Sequence, residues 1–124
     1  MSLNNEEMAL ADRGPLQVGV DEYEGVVALS PIGEVGYHEA PALRTAIKEA
    51  FERKPSKLVV NLSGVSYMAT PGVATLVEAL QISKRTGVPL VLCNLTDRVR
   101  AIFEIARLQT VFKIVPDLHT AIKG

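Results

Sequence analysis

Apolar residues recur along this chain with two alternating periods, and each change of period announces a new element. Residues 16–21 alternate, with Leu16, Val18 and Val20 apolar and Gln17, Gly19 and Asp21 between them, the signal of a half-buried strand. Glu22-Tyr23-Glu24-Gly25 reads as a turn. Residues 26–32 form a second apolar run broken by Pro31, which suits an edge position or the strand's end. The two runs together predict an antiparallel hairpin. Over residues 39–53 the period becomes helical, with Leu43, Ala46, Ile47, Ala50 and Phe51 on one face and Arg44, Lys48, Glu49 and Glu52 on the other. Lys54-Pro55-Ser56-Lys57 ends this helix, because proline lacks the amide that a helix interior needs.

The remaining elements are arranged around residues 58–80, LVVNLSGVSYMATPGVATLVEAL. Residues 58–62 are a mostly β-branched apolar run that suits a strand buried on both faces. Val73, Leu76, Val77 and Leu80 stand at i, i+3, i+4 and i+7, which predicts an amphipathic helix with Glu78, Gln81, Lys84 and Arg85 off its apolar stripe. Residues 63–71 read as a tight connector ending in Thr70-Pro71-Gly72, where the hydroxyl can cap the helix and proline suits the first turn. Thr70 is therefore expected at the carboxyl end of a strand, facing the positive end of a helix. Thr86-Gly87-Val88-Pro89 is a stop signal, and Leu90-Val91-Leu92-Cys93 is another short buried strand. Thr96 or Asp97 can cap a third helix with Val99, Ile102, Phe103 and Ala106 on its apolar face. Residues 111–115 are a short strand or extended segment, after which Asp117 caps a last helix with Leu118, Ala121 and Ile122 inward. A hairpin followed by alternating strands and helices predicts an α/β fold with a mixed sheet, parallel through its middle, and helices packed on it.

The run Asn61-Leu62-Ser63-Gly64-Val65-Ser66-Tyr67-Met68, then a hydroxyl residue two positions before a glycine, then Val73-Ala74-Thr75-Leu76-Val77, resembles the core motif of the STAS family. Bacterial members of that family include anti-sigma factor antagonists. The family's motif usually reads aspartate, a phosphorylatable Ser or Thr, a second small residue and glycine. Here Ala69 replaces the aspartate, Thr70 supplies the hydroxyl, Pro71 takes the small position and Gly72 is kept. Gly33-Glu34-Val35-Gly36, followed by Ala40-Pro41-Ala42-Leu43, is similar to the glycine-containing loop and helix start that follow the hairpin in STAS domains. Gly36 stands where family members often carry aspartate.

The resemblance covers about residues 16–122 and implies a single STAS-like domain over 16–124. It further implies a non-catalytic regulatory protein–protein interaction module whose partner is an anti-sigma factor or related serine/threonine kinase-like protein. On that reading Thr70 is a phosphorylation candidate, and Ala69, Thr70, Pro71, Gly72 and Thr75 are partner-binding candidates. Loss of the switch, which Ala69 and Pro71 favour, would leave a STAS adaptor subunit of a transporter or signalling complex, with a transporter ATPase as its partner. From the residues themselves, Thr70 has two compatible roles. One is a helix cap; the other is an acceptor whose phosphate places roughly two negative charges at the helix start.

Composition narrows the classes. A formal charge of −1, with 13 Lys and Arg against 14 Asp and Glu, offers no broad basic surface for nucleic acid. The apolar runs fall short of the roughly 20 residues a membrane span needs. No charged and apolar leader pattern opens the chain, and the single cysteine allows no internal disulfide, so a cytoplasmic location is expected. Residues 1–15 are polar, carry Glu6, Glu7 and Asp12 and end in Gly14-Pro15, which reads as a flexible arm with room for a short, marginal helix over 6–11. Cys93, after Leu90-Val91-Leu92, reads as a buried small hydrophobe. His38 and His119 lack ligand-spaced neighbours, and no phosphate-loop or dinucleotide pattern occurs, so no metal and no cofactor are expected. Arg98, Arg100 and Arg107 give the third helix a basic side, either a solvated face or a surface for an acidic partner. A small enzyme or ligand carrier using the strand ends is a third class, for which no set of acid, base and nucleophile can be assembled.

Overall fold

The hairpin forms as the alternating pattern requires: β1 (Gln17–Tyr23) pairs antiparallel with β2 (Val26–Val35), from Gln17 opposite Ile32 to Tyr23 opposite Val26. The turn is tighter than expected, with only Glu24 and Gly25 outside the strands, at φ 52° and 88°. Two residues at positive φ make the hairpin turn whose twist matches that of the strands. The computed structural model describes residues 16–124. The arm over 1–15 and its short helix lie outside the described residues.

Three further strands run parallel beyond the hairpin: β3 (Lys57–Asn61) beside β2, β5 (Leu90–Cys93) beside β3, and β6 (Lys113–Val115) beside β5. β3 thus lies in the middle of the sheet, and Leu58, Val59 and Val60 are fully buried. That is why its sequence is a continuous apolar run: both faces are covered. The described residues also contain α1 (Ala40–Glu52), α2 (Thr70–Thr86), α3 (Asp97–Ile105) and the short α4 (Leu118–Lys123). Leu43 and Ile47 of α1, Leu76 of α2 and Phe103 of α3 share one apolar cluster with Leu29, Leu58, Val60 and Leu92 of the sheet. The alternate strand positions Ala28, Val59, Val91 and Cys93 join a second, smaller cluster closed by Ala121 of α4. The mixed sheet predicted from the hairpin and the alternating strands and helices is therefore the architecture observed.

Five expectations are corrected. Residues 63–71 are not simply a connector, because Val65–Met68 form a sixth strand, β4, parallel to the far end of β2. With only its end residues buried, β4 lacks the alternation that reveals a strand. Gly33, Glu34 and Val35, expected in a loop, belong to β2 and pair with β4, with a shift in register at Gly33, whose φ is 111°. Pro31 does not end β2, although it sits at a local gap in its pairing. Pairing with β3 stops at Leu29 and pairing with β4 starts at Gly33, so Pro31 falls where that side of the strand has no partner to miss its amide. Finally, α3 stops at Ile105, leaving Ala106 exposed, and β6 starts at Lys113, leaving Val111 exposed.

Candidate partner-binding surface

β4 decides where Thr70 sits. The turn that launches it is set by Asn61, whose Oδ1 accepts from the amide of Ser63 at 3.1 Å and from Nδ2 of Asn94 at 3.1 Å. Its start is held by Thr96, whose Oγ1 donates to the carbonyl of Val65 at 2.9 Å. Its end is tied back to β2, where the amide of Ala69 donates to the carbonyl of Val35 at 2.9 Å. Thr96 is the N-cap residue of α3 by position, but its hydroxyl is spent on β4 and caps nothing.

The N-cap of α2 is Ala69, in extended conformation, and no side chain caps this helix. Thr70 is its first helical residue rather than its cap, which corrects the capping role expected from sequence. The residue is exposed, and its hydroxyl makes no hydrogen bond among the described residues. Pro71 follows in the first turn, where the missing amide would have no intrahelical acceptor. The amides of Gly72 and Val73 turn back to the carbonyl of Ala69 at 2.9 and 3.1 Å.

The five candidate positions divide between two environments. Ala69, Thr70 and Pro71 lie at the surface or partly exposed, whereas Gly72 and Thr75 face the sheet. A Cβ on Gly72 would stand 2.7 Å from Cγ of Met68 and 2.9 Å from Cγ1 of Val35, so glycine is what lets α2 approach β2 and β4. Thr75 is only 2% exposed, and its hydroxyl donates to the carbonyl of Pro71 at 2.8 Å. Both residues shape the surface from below. The buried stripe of α2 accordingly runs through Gly72, Thr75, Leu76, Ala79 and Ile82. Val73, Val77 and Leu80, the expected stripe together with Leu76, are only partly buried against the core. Hydrophobicity misplaced this stripe because close packing at the helix start selects small residues, which carry no hydrophobic signal.

Residues that the periodicity did not single out complete the surface. Tyr67, on β4 beside Glu34 of β2, is 39% exposed, and the guanidinium of Arg98 lies 5.4 Å from its ring centre. Tyr37, two residues beyond Val35, is 80% exposed in the loop before α1. That loop is held by Glu39, whose carboxylate accepts from the amide of Gly36 at 2.8 Å. Exposed tyrosine and arginine are the residue types that most often anchor protein interfaces. Arg98 is exposed, as a solvated face requires, and also lies over Tyr67. The surface has aromatic, cationic and hydroxyl groups, and the described residues contain no group of three potential metal ligands.

Cys93, at the end of β5, is fully buried; burial first, and then the charge of Asp117, push its thiol up to about 11. It behaves as the small hydrophobe expected from its strand. No helix among the described residues is long and apolar enough to cross a membrane.

Comparison with known proteins agrees with this fold. The STAS domain profile matches residues 17–121. The chain is 29% identical over 99 residues to the anti-sigma-B factor antagonist of Bacillus subtilis, covering 80% of this chain and 90% of that protein. It is 30% identical over 112 residues to the anti-sigma-F factor antagonist RsfB of Mycobacterium tuberculosis, with 88% of each chain covered. The crystal structure of an anti-sigma factor antagonist from Mycobacterium paratuberculosis superposes with a TM-score of 0.79 at 26% identity, over 87% of this chain and 92% of that one.

Proposed function

We propose that this chain, which belongs to the STAS domain family, is a non-catalytic switch module of the anti-sigma factor antagonist kind. Relatives that cover most of its length are antagonists of anti-sigma factors, which supports a regulatory role exerted by protein–protein contact. The partner we assign is accordingly an anti-sigma factor, one that also carries kinase activity toward Thr70.

The observation that carries the reading is the state of Thr70: exposed, unbonded at its hydroxyl among the described residues, and standing on the first turn of α2, directly after the strand that carries Tyr67. A phosphate there would bring about −1.5 to −2 charge to a helix start, where negative charge is tolerated by the fold. Pro71 offers no amide, and Gly72 and Val73 spend theirs on Ala69. The added charge would therefore stay turned toward a partner rather than being absorbed by the helix. Binding would be lost while the domain stays folded.

The same Pro71 supports a second reading, an adaptor of the same fold without the switch, because a phosphate on Thr70 would find fewer donors to orient it. Binding titrations with the anti-sigma factor separate the two. The switch reading expects Thr70→Ala to bind like wild type, Thr70→Glu to bind at least about tenfold more weakly, and phosphothreonine to appear on the wild-type chain when partner and ATP are supplied. Equal affinity for Thr70→Glu and wild type, with no modification by the partner, would leave the adaptor reading.

A further inference from the structure

The two apolar clusters are closed in different ways. The larger holds residues of α1, α2 and α3 but none of α4. The smaller places Val26, Ala28, Val59, Val91 and Cys93 on the opposite face of the sheet, with Ala121 buried and Leu118 and Ile122 packed at its margin. Its cover, α4, is six residues long and touches β3, β5 and β6. A helix that short has no independent stability in water.

Two polar devices hold α4 in place. At its start the carboxylate of Asp117 accepts from the amide of Thr120 at 2.8 Å, in full contact with solvent. At its end Nζ of Lys57 donates to the carbonyl of Ala121 at 2.8 Å and, more weakly, to that of Ile122 at 3.4 Å. The final carbonyls of a helix have no intrahelical donor, so the ammonium supplies one and also meets the negative end of the helix dipole. Lys57 is the first residue of the central strand, 64 positions before Ala121. It therefore links α4 to the part of the sheet least able to move.

We propose that α4 is a hinged cover which opens as a unit over an intact sheet, with Lys57 as its latch, exposing the strip of Ala28, Val59, Val91 and Cys93. Lifting α4 removes nothing from the larger cluster, so the opening is a local event rather than a step of global unfolding. This device lies on the face opposite the packing of α1 and α2 and does not depend on any role for Thr70.

Cys93, the chain's single cysteine, reports the opening because it lies under α4 and reacts only when uncovered. The experiment labels the intact chain with an aromatic disulfide reagent over a range of low urea and compares the rates with global unfolding followed by circular dichroism. Local opening gives a urea dependence well below that of global unfolding. Lys57→Met should label about five to ten times faster than wild type, while amides of the larger cluster keep their exchange rates. Lys57→Arg, which retains a charged donor, should restore slow labelling. Should Lys57→Met fail to fold, Asp117→Ala, at a solvent-exposed side chain, removes the other attachment and should speed amide exchange in α4 while the larger cluster keeps its rates, a readout that the charge of Asp117 on the Cys93 thiol does not enter. Labelling that shares the urea dependence of global unfolding in wild type and variants alike overturns the proposal.

Discussion

Thr70 and Gly72, two residues apart at the start of α2, are held by opposite requirements. The Thr70 side chain points to solvent, and Ala69 occupies the cap position. Thr70→Ala should therefore change stability by less than about 0.5 kcal/mol, where a true cap would cost about 1 kcal/mol. Gly72→Ala should be the damaging neighbour. Its new methyl group meets Met68, Val35 Cγ1 and, at 3.0 Å, the backbone carbonyl of Val35, and that last atom cannot rotate away. Overpacking of this kind costs about 1–3 kcal/mol, against a gain of at most about 1 kcal/mol from replacing glycine in a helix. A net loss is expected, and chemical denaturation of both variants checks the contrast. The resemblance singled out both positions from sequence, but the cap role assigned to Thr70 needed the backbone to refute it. A threonine ahead of Pro-Gly is equally compatible with the cap position and with the first helical turn.

Among the elements, β4 and α4 are both held by polar groups from distant parts of the chain. Thr96→Val keeps the shape of the side chain but leaves the carbonyl of Val65 without its hydroxyl donor. It should cost about 1 kcal/mol and should raise amide exchange in β4 before it does so in β3. Asp117 gives a pH signature. Its carboxyl is held below the usual carboxylate range, chiefly by the amide of Thr120. A depressed folded-state pKa means that the contribution is fully present above the unfolded value, about 3.9, and fades as pH falls through the lower folded value. The Thr120 amide resonance should therefore titrate with a midpoint below about 3.9 while α4 loosens in acid. Asp117→Asn should abolish that titration. The cap at Asp117 was legible in sequence because Pro116-Asp117 directly precedes the apolar spacing of α4. β4 was not, because its middle residues, Ser66 and Tyr67, are both exposed and break the period of a strand.

Across the whole molecule, stability should be graded outward from β3. This strand is paired on both sides and buried on both faces, whereas β1 and β6 each pair on one side and β6 is only three residues long. Native-state hydrogen exchange should find the slowest amides in β3 and the fastest among the strands in β6. Uniform protection across the sheet would contradict this gradient. The sequence by itself determined the order of elements, the centrality of residues 58–62 and the apolar face of α1, because each follows from local periodicity and from turn residues acting on their near neighbours. The motif around Thr70 identified the family for the same reason: it lies in one contiguous stretch. Only the tertiary structure decided that β2 carries on through Pro31 to meet β4, that the buried stripe of α2 runs through Gly72 and Thr75, that Arg98 lies over Tyr67, and that Lys57 reaches the end of α4. Each of these is an encounter between segments distant along the chain. Its energy comes from close approach or from a hydrogen bond across that distance, and neither leaves a period in the sequence.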